Sequence, residues 1–392
     1  MSDHLVQRMR SHEASIFGEM SSRAQELGAI NLGQGFPDQD GPESVKQAAM
    51  RAISDGRGNQ YPPAHGLPEL RRQVAAHQER FYGLHPDWRS EICITTGASE
   101  AIGAAVLALV EPGDEVMMFD PYFDVYTAVT SLAGAHRVCV PLVGSELRPD
   151  LAALAEQMSD RTRLLILNSP HNPTGVVFTE TELKEIARLT VKHDVIVLAD
   201  EAYEHLWFDG HPHVPIATLP EMWNRTVTIG SAGKSFSFTG WKVGWAIGPA
   251  ELIRAVRVVR QHLSYVSSGP FQWAITDALQ LPDSYYEDFR RDLAEKRDQL
   301  STSLDRIGFR VLPTQGTYFL TTDIRSLGFA NGEEFCSWVP ENAGVVAIPH
   351  SALSDNPQAT APYVRWAFCK KSSELSEAAR RLSVGLSHRV NN

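Results

Sequence analysis

A series of short apolar runs, each ending on a polar, turn-rich loop, constrains the fold more than any other feature of this chain. ICITT (92–96) leads into TGAS, EVMMF (115–119) into DPYFD and LLILN (164–168) into NSPHNPTG. VIVLA (195–199) leads into DEAY, TVTIG (226–230) into SAGK, and GWAIG (244–248) adds a sixth run. Runs this short and this uniformly apolar are expected to be strands buried on both faces. Helical patterns separate them: SEAIGAAVLALV, and TETELKEIARLTVKH with Leu183, Ile186, Ala187 and Thr190 on one face. Strands alternating with helices predict an α/β fold with a mostly parallel sheet. Ligands of such sheets bind beyond the carboxyl ends of the strands. Five polar loops are therefore expected on one rim.

The texture changes after about residue 285, where YYEDFRRDLAEKRDQLSTSLDRIG precedes FRVL, GTYFL and YVRWAFCK. This predicts a large domain over 46–285 and a smaller α+β unit made of 286–392 and the N-terminal arm, 1–45. At 392 residues and a net charge of −11, the chain has no basic footprint for nucleic acid. The opening MSDHLVQRMRSHEASIF has no signal-peptide core and no apolar run is long enough to span a membrane, so a cytoplasmic location is expected. Cys93, Cys139, Cys336 and Cys369 are scattered and read as reduced, mostly packed thiols. His211 and His213 are expected in an exposed turn, and no metal site is expected.

Gly233-Lys234-Ser235 imitates the end of a phosphate-binding P-loop, but the position that loop requires to be glycine is Thr228. Lys234 then reads either as a loop lysine or as the amine of a Schiff base with pyridoxal phosphate. The second reading needs a lysine kept partly neutral, a carboxylate for the pyridine nitrogen, donors for the phenolate, a ring platform and a phosphate cup. Asp200, at the end of an apolar strand, offers the carboxylate, and burial there demands a cationic partner. Tyr203 and Asn172 are candidate donors, although Asn-Pro-Thr-Gly is also ordinary turn chemistry. Gly97 and Ser99 open a helix whose first amides favour an anion. Ser231 and Lys242 can add to that cup, and Phe123 can be the platform. Tyr122 and Tyr126 either line the pocket or pack.

The stretches NLGQGFPD (31–38), NQYPP (59–63), GASEA (97–101), NSPHNPTG, DEAYEHLWFDG (200–210), GSAGKSFSFTGWKVGW (230–245), GTYFL (316–320) and VRWAFCK (364–370) cover nearly the whole chain. In them the chain resembles the fold-type I, class I and II aminotransferases, within the branch of kynurenine, glutamine, methionine and N-succinyldiaminopimelate aminotransferases. The resemblance implies a large domain with a mostly parallel, seven-stranded sheet. It implies Lys234 as Schiff-base lysine, Asp200 on the pyridine nitrogen, Asn172 and Tyr203 on the phenolate, and Phe123 as stacking ring. Gly97, Ala98, Ser99, Ser231 and Lys242 match phosphate positions. Tyr61 matches a tyrosine that reaches the phosphate from a partner subunit, which implies a homodimer. Arg365 matches the residue that grips the substrate α-carboxylate, Asn172 flanks it, and Gly35 belongs to the segment that closes over it. A guanidinium suits that task because it binds carboxylate through two parallel hydrogen bonds.

The activity so implied is transfer of an amino group between an L-amino acid and a 2-oxo acid, with Lys234 as the proton carrier. Phe17, where kynurenine-handling relatives tend to carry Trp, and SAL at 351–353 argue against kynurenine as the main substrate. N-succinyldiaminopimelate with glutamate as donor is compatible with GQGFPDQDGPE and SPHNPTG. β-Elimination from cysteine S-conjugates is the rival chemistry. An aminotransferase-like regulatory domain is the remote one, because Asn31 already begins the catalytic pattern.

Overall fold

The computed structural model describes residues 4–12 and 15–390. The N-terminal arm contributes β1 (Ile30–Asn31). The next strands are β2 (Ile92–Thr96), β3 (Glu115–Asp120), β4 (His136–Val143), β5 (Arg148–Pro149), β6 (Thr162–Asn168), β7 (Ile196–Asp200), β8 (Thr226–Ser231) and β9 (Val243–Ile247). These eight form one sheet in the order β2-β9-β8-β7-β6-β3-β4-β5. The sheet is thus one strand wider than the seven expected, the addition being the two-residue β5 paired antiparallel at the edge. β4 has mixed polarity, which is why its sequence lacked the uniform apolar signal of its neighbours.

The centre is buried on both faces by alternation. Val116, Met118, Leu164, Ile166, Ile196 and Leu198 enter one core with the helices Gly97–Leu109 and Asp124–Ala133. Met117, Phe119, Leu165, Leu167, Val197 and Ala199 enter the other, with the helix Glu180–Lys192. The period of two explains why strands read as continuous apolar runs can serve both layers. β9 runs antiparallel to both β2 and β8, so β2 and β8 point the same way. The carboxyl ends of β2, β3, β6, β7 and β8 consequently share one rim, as the loops predicted. The reversal of β9 brings its entry, Lys242, to that rim as well.

β10 (Arg310–Val311), β11 (Phe319–Asp323), β12 (Val345–Val346), β13 (Ile348–Pro349) and β14 (Tyr363–Ala367) complete the strands. β10-β11-β14-β13 form a small antiparallel sheet, and β1 pairs with β12. The helix Asp283–Ile307 joins two further cores: Tyr286 packs with Trp245 and Ile247, whereas Leu293, Leu300 and Leu304 pack with Phe319 and Trp366. Among the described residues no helix is long and apolar enough to cross a membrane. All four cysteines are free, and only Cys139 is not fully buried.

Gly244 on β9 is fixed by close approach. A Cβ there would lie 2.6 Å from Gly97 C and 2.8 Å from Ala98 N, both backbone atoms that cannot swing away. Gly244→Ala is expected to destabilise the protein by about 1–3 kcal/mol, the usual cost of overpacking, read as a lowered urea midpoint.

Candidate active site

Strand parity selects the polar groups that meet at the rim. Asn168 continues the face of Leu164 and Ile166, Asp200 that of Ile196 and Leu198, and Ser231 that of Val227 and Ile229. Asn168 and Asp200 are also in register across β6 and β7. All three therefore project on the layer occupied by the helices Gly97–Leu109 and Asp124–Ala133. There they line a cavity of about 350 Å³ together with Gly97, Ala98, Ser99, Phe123, Asn172, Tyr203, Lys234, Lys242, Gly35 and Arg365. Of the residues that the resemblance assigns to the cofactor or the substrate, Tyr61 alone stands outside it. Tyr61 is 80% exposed and packs edge-on against Tyr265, with ring centroids 5.4 Å apart.

Asp200 is buried, and its oxygens accept from neutral donors, Tyr126 Oη at 2.6 Å and Ala202 N at 3.2 Å. Burial raises its pKa, while these two bonds and the charge of Lys234 pull it down. Lys234 follows β8 in a single helical turn, Ala232–Ser235, which aims it into the cavity. Its Nζ donates to Gly35 O at 3.3 Å and sits 5.8 and 5.6 Å from the ring centres of Tyr203 and Tyr318. Desolvation pushes the ammonium down to about 8, and the charges of Arg365 and Lys242 act in the same sense against Cys369 and Asp200. The expected partly neutral amine is therefore present.

Arg365 lies mid-strand on β14, opposite Thr321 and Ile348, and is 1% exposed. Nη1 donates to Asn172 Oδ1 at 2.8 Å and Nη2 to Gly33 O at 2.5 Å, while Nε is buried without a partner. Phe17 and Phe319 flank the guanidinium, 4.8 and 4.1 Å from its carbon. Burial lowers its pKa to about 10, so it stays a cation at neutral pH.

At the other end, Gly97 begins its helix with φ +74° and no side chain caps the first turn. Lys242 Nζ comes within 3.3 Å of where a Cβ on Gly97 would stand. Helix amides, Ser99, Ser231 and a lysine make an anion cup. These residues fit pyridoxal phosphate on grounds of chemistry: Asp200 has only neutral partners and suits a protonated ring nitrogen, and the glycine-lined cup suits a phosphate.

Of the two tyrosines left open between lining and packing, Tyr126 belongs to the cavity, whereas Tyr122 is buried elsewhere and donates to Asp355 Oδ1 at 2.7 Å. Other contributors were missed. Gln34, Phe36, Thr239 and Phe319 also line it. Tyr318 Oη donates to Gly35 O at 2.6 Å, and Lys370 Nζ to Phe36 O at 2.8 Å. Both lie within recognised motifs, GTYFL and VRWAFCK, but nothing local signals a bond to a carbonyl in the arm.

The histidine turn needs correction: His211 is exposed, but His213 is buried with Nε2 3.2 Å from Glu201 Oε2. Behind the same loop, His77, Glu204 and His205 are buried with ligand-type atoms within 4.8 Å of one another. His77 Nε2 and His205 Nε2 lie only 2.8 Å apart, however, which is a hydrogen bond. Two nitrogens on one tetrahedral zinc would be about 3.3 Å apart. Tyr82 donates to Glu204 at 2.8 Å, and burial pushes that carboxyl up to about 8. The geometry is that of a hydrogen-bonded polar core.

Comparison with known proteins gives the same answer as the site. The family profile described as Aminotransferase class I and II matches residues 28–382. A probable N-succinyldiaminopimelate aminotransferase of Mycobacterium tuberculosis is 49% identical over 97% of this chain and 98% of its own length. A methionine aminotransferase of Escherichia coli is 39% identical over 94% and 95%. The solved structure of N-succinyldiaminopimelate aminotransferase from M. tuberculosis superposes with a TM-score of 0.96 at 50% identity, covering 97% of this chain and 100% of that one. The chain belongs to the class I and II aminotransferases and is a pyridoxal-phosphate-dependent transaminase.

Proposed function

We propose that this aminotransferase interconverts a long L-amino acid of the N-succinyldiaminopimelate type and its 2-oxo acid, with glutamate and 2-oxoglutarate as the second pair. The observation that carries the amino-transfer reading is one cavity faced by a lysine amine near neutrality, a carboxylate with neutral partners and a buried guanidinium. The substrate class rests on the M. tuberculosis relative, similar over nearly the full length of both chains.

In this reading Lys234 would hold the cofactor covalently, and Asp200 would keep its ring nitrogen protonated. Asn172 and Tyr203 would serve its phenolate, and Phe123 would be the ring platform. Gly97, Ala98, Ser99, Ser231 and Lys242 would take the phosphate. When bound, pyridoxal phosphate supplies the electron sink and the temporary store for the amino group. Arg365 orients the substrate through its α-carboxylate, because Nη1 and Nη2 each carry a second N–H beyond those given to Asn172 and Gly33. Lys234, with a pKa of about 8, takes the Cα proton and returns it, which requires both protonation states to be populated near neutral pH. Gly33 and Gly35 anchor the arm over the cavity through their carbonyls. We further propose a cytoplasmic homodimer in which the exposed Tyr61 completes the partner's phosphate cup, and a division of the chain into 46–285 against 1–45 with 286–392.

Lys234→Ala is expected to abolish multiple turnover while the apo-protein stays folded by circular dichroism. In the wild-type apoenzyme, modification of Lys234 by an amine reagent should rise with pH to a midpoint near 8, where half of the amine is neutral. A rise continuing to the ordinary lysine value of 10.5 would mean a solvated side chain.

In a panel of donors with 2-oxoglutarate, N-succinyldiaminopimelate is expected to give a kcat/KM at least tenfold above methionine, glutamine and kynurenine. Equal or better turnover of any of these would overturn the substrate assignment but not the reaction class.

Tyr61→Phe is expected to weaken cofactor retention about tenfold, the worth of a hydrogen bond to a charged group, without changing the dimeric mass in light scattering.

A further inference from the structure

Tyr126 has no role in the reading above, yet its hydroxyl makes the shortest contact to Asp200. We propose that Tyr126 is a positioning residue that keeps Asp200 ionised and turned so that one carboxylate oxygen is free for the cofactor's ring nitrogen. This rests on the assignment of Asp200 to that nitrogen.

Tyr126 Oη donates to Asp200 Oδ2 at 2.6 Å, and the two residues are 2% and 4% exposed. Among the described residues Oδ1 is reached only by Ala202 N, at a longer 3.2 Å. The tyrosine is held firmly. It lies in the first turn of the helix Asp124–Ala133, its carbonyl accepts from Thr130 Oγ1 at 2.8 Å, and its ring meets Phe123 edge-on at 5.7 Å. Phe123 and Tyr126 are three residues apart, so one helix start presents both the ring platform and the donor beneath it.

A phenol suits this place better than a cation. An arginine or lysine would neutralise Asp200 and compete with the protonated ring nitrogen. A neutral donor stabilises the carboxylate without cancelling its charge. Burial and the adjacent carboxylate raise the phenol's own pKa, so it remains a donor throughout the working range. The other groups acting on Asp200 are the Lys234 ammonium, which favours ionisation, and Glu201, which with burial opposes it. Tyr126 is thus the chief hydrogen-bond support of the charge on a site where desolvation works against it.

The test is a double-mutant cycle on holoenzyme with Tyr126→Phe, Asp200→Asn and the pair, read by pH titration of the cofactor's visible absorbance and by cofactor dissociation constants. Phenylalanine keeps the ring packing, so the melting temperature of the apo-protein should stay near wild type. Losing the hydroxyl is expected to loosen the cofactor about tenfold and to raise the absorbance midpoint by about one pH unit. The midpoint rises because a less positive ring nitrogen repels the neighbouring proton less. In the Asp200→Asn background the same change should add nothing. Additive effects, or an unchanged midpoint in Tyr126→Phe while Asp200→Asn shifts, would overturn this inference alone. No shift in Asp200→Asn would overturn the assignment of Asp200 itself. A fluorinated tyrosine at position 126, a stronger donor of nearly the same shape, should lower the midpoint even if Tyr126→Phe fails to fold, and an unchanged midpoint there would again reject the proposal.

Discussion

The site depends on a carboxylate placed at the end of a strand buried on both faces. Ionised Asp200 is costly there, because β7 runs through the middle of the large sheet and is walled by two apolar cores. The surroundings answer with oriented dipoles: the Tyr126 hydroxyl, the Ala202 amide and, further off, the charge of Lys234. Among the described residues none forms a salt bridge with it. A charge supported this way stays available to a cationic ligand, whereas one neutralised by an arginine would not.

The same economy governs the cations. Lys234 and Arg365 share one cavity, where desolvation opposes the charge of both. The outcomes differ because the functional groups differ. The lysine ammonium of residue 234 drops to about 8, near the pH at which a proton carrier is useful. The delocalised guanidinium at about 10 keeps its charge and remains an anion receptor. One electrostatic environment thus yields a base and an anchor.

The N-terminal arm is bound by its carbonyls. Arg365 reaches Gly33, Lys234 and Tyr318 reach Gly35, and Lys370 reaches Phe36. A Cβ on Gly35 would lie 2.3 Å from the ring of Phe319, so only glycine lets the arm approach this closely. The small sheet, through β11 and β14, therefore positions both the substrate anchor and the segment that covers it.

Much of this was legible in the sequence. Uniform apolar runs mark doubly buried strands, and polar loops after parallel strands must share a rim, so the central sheet and about half of the cavity's lining follow from local pattern and motif. Three things were not legible. The reversal of β9, which brings Lys242 to the rim, is set by pairing with β2 and β8 rather than by its own residues. The bond from Tyr126 to Asp200 joins residues far apart in the chain, and tyrosine in an apolar helix looks the same whether it packs or donates. The burial of His213 likewise depends on Glu201, whose approach no turn signal encodes. Local sequence determined which elements form and which chemical groups they carry. Only the tertiary structure decided which of those groups meet, because hydrogen bonding and desolvation act over a few ångströms in space, regardless of separation along the chain.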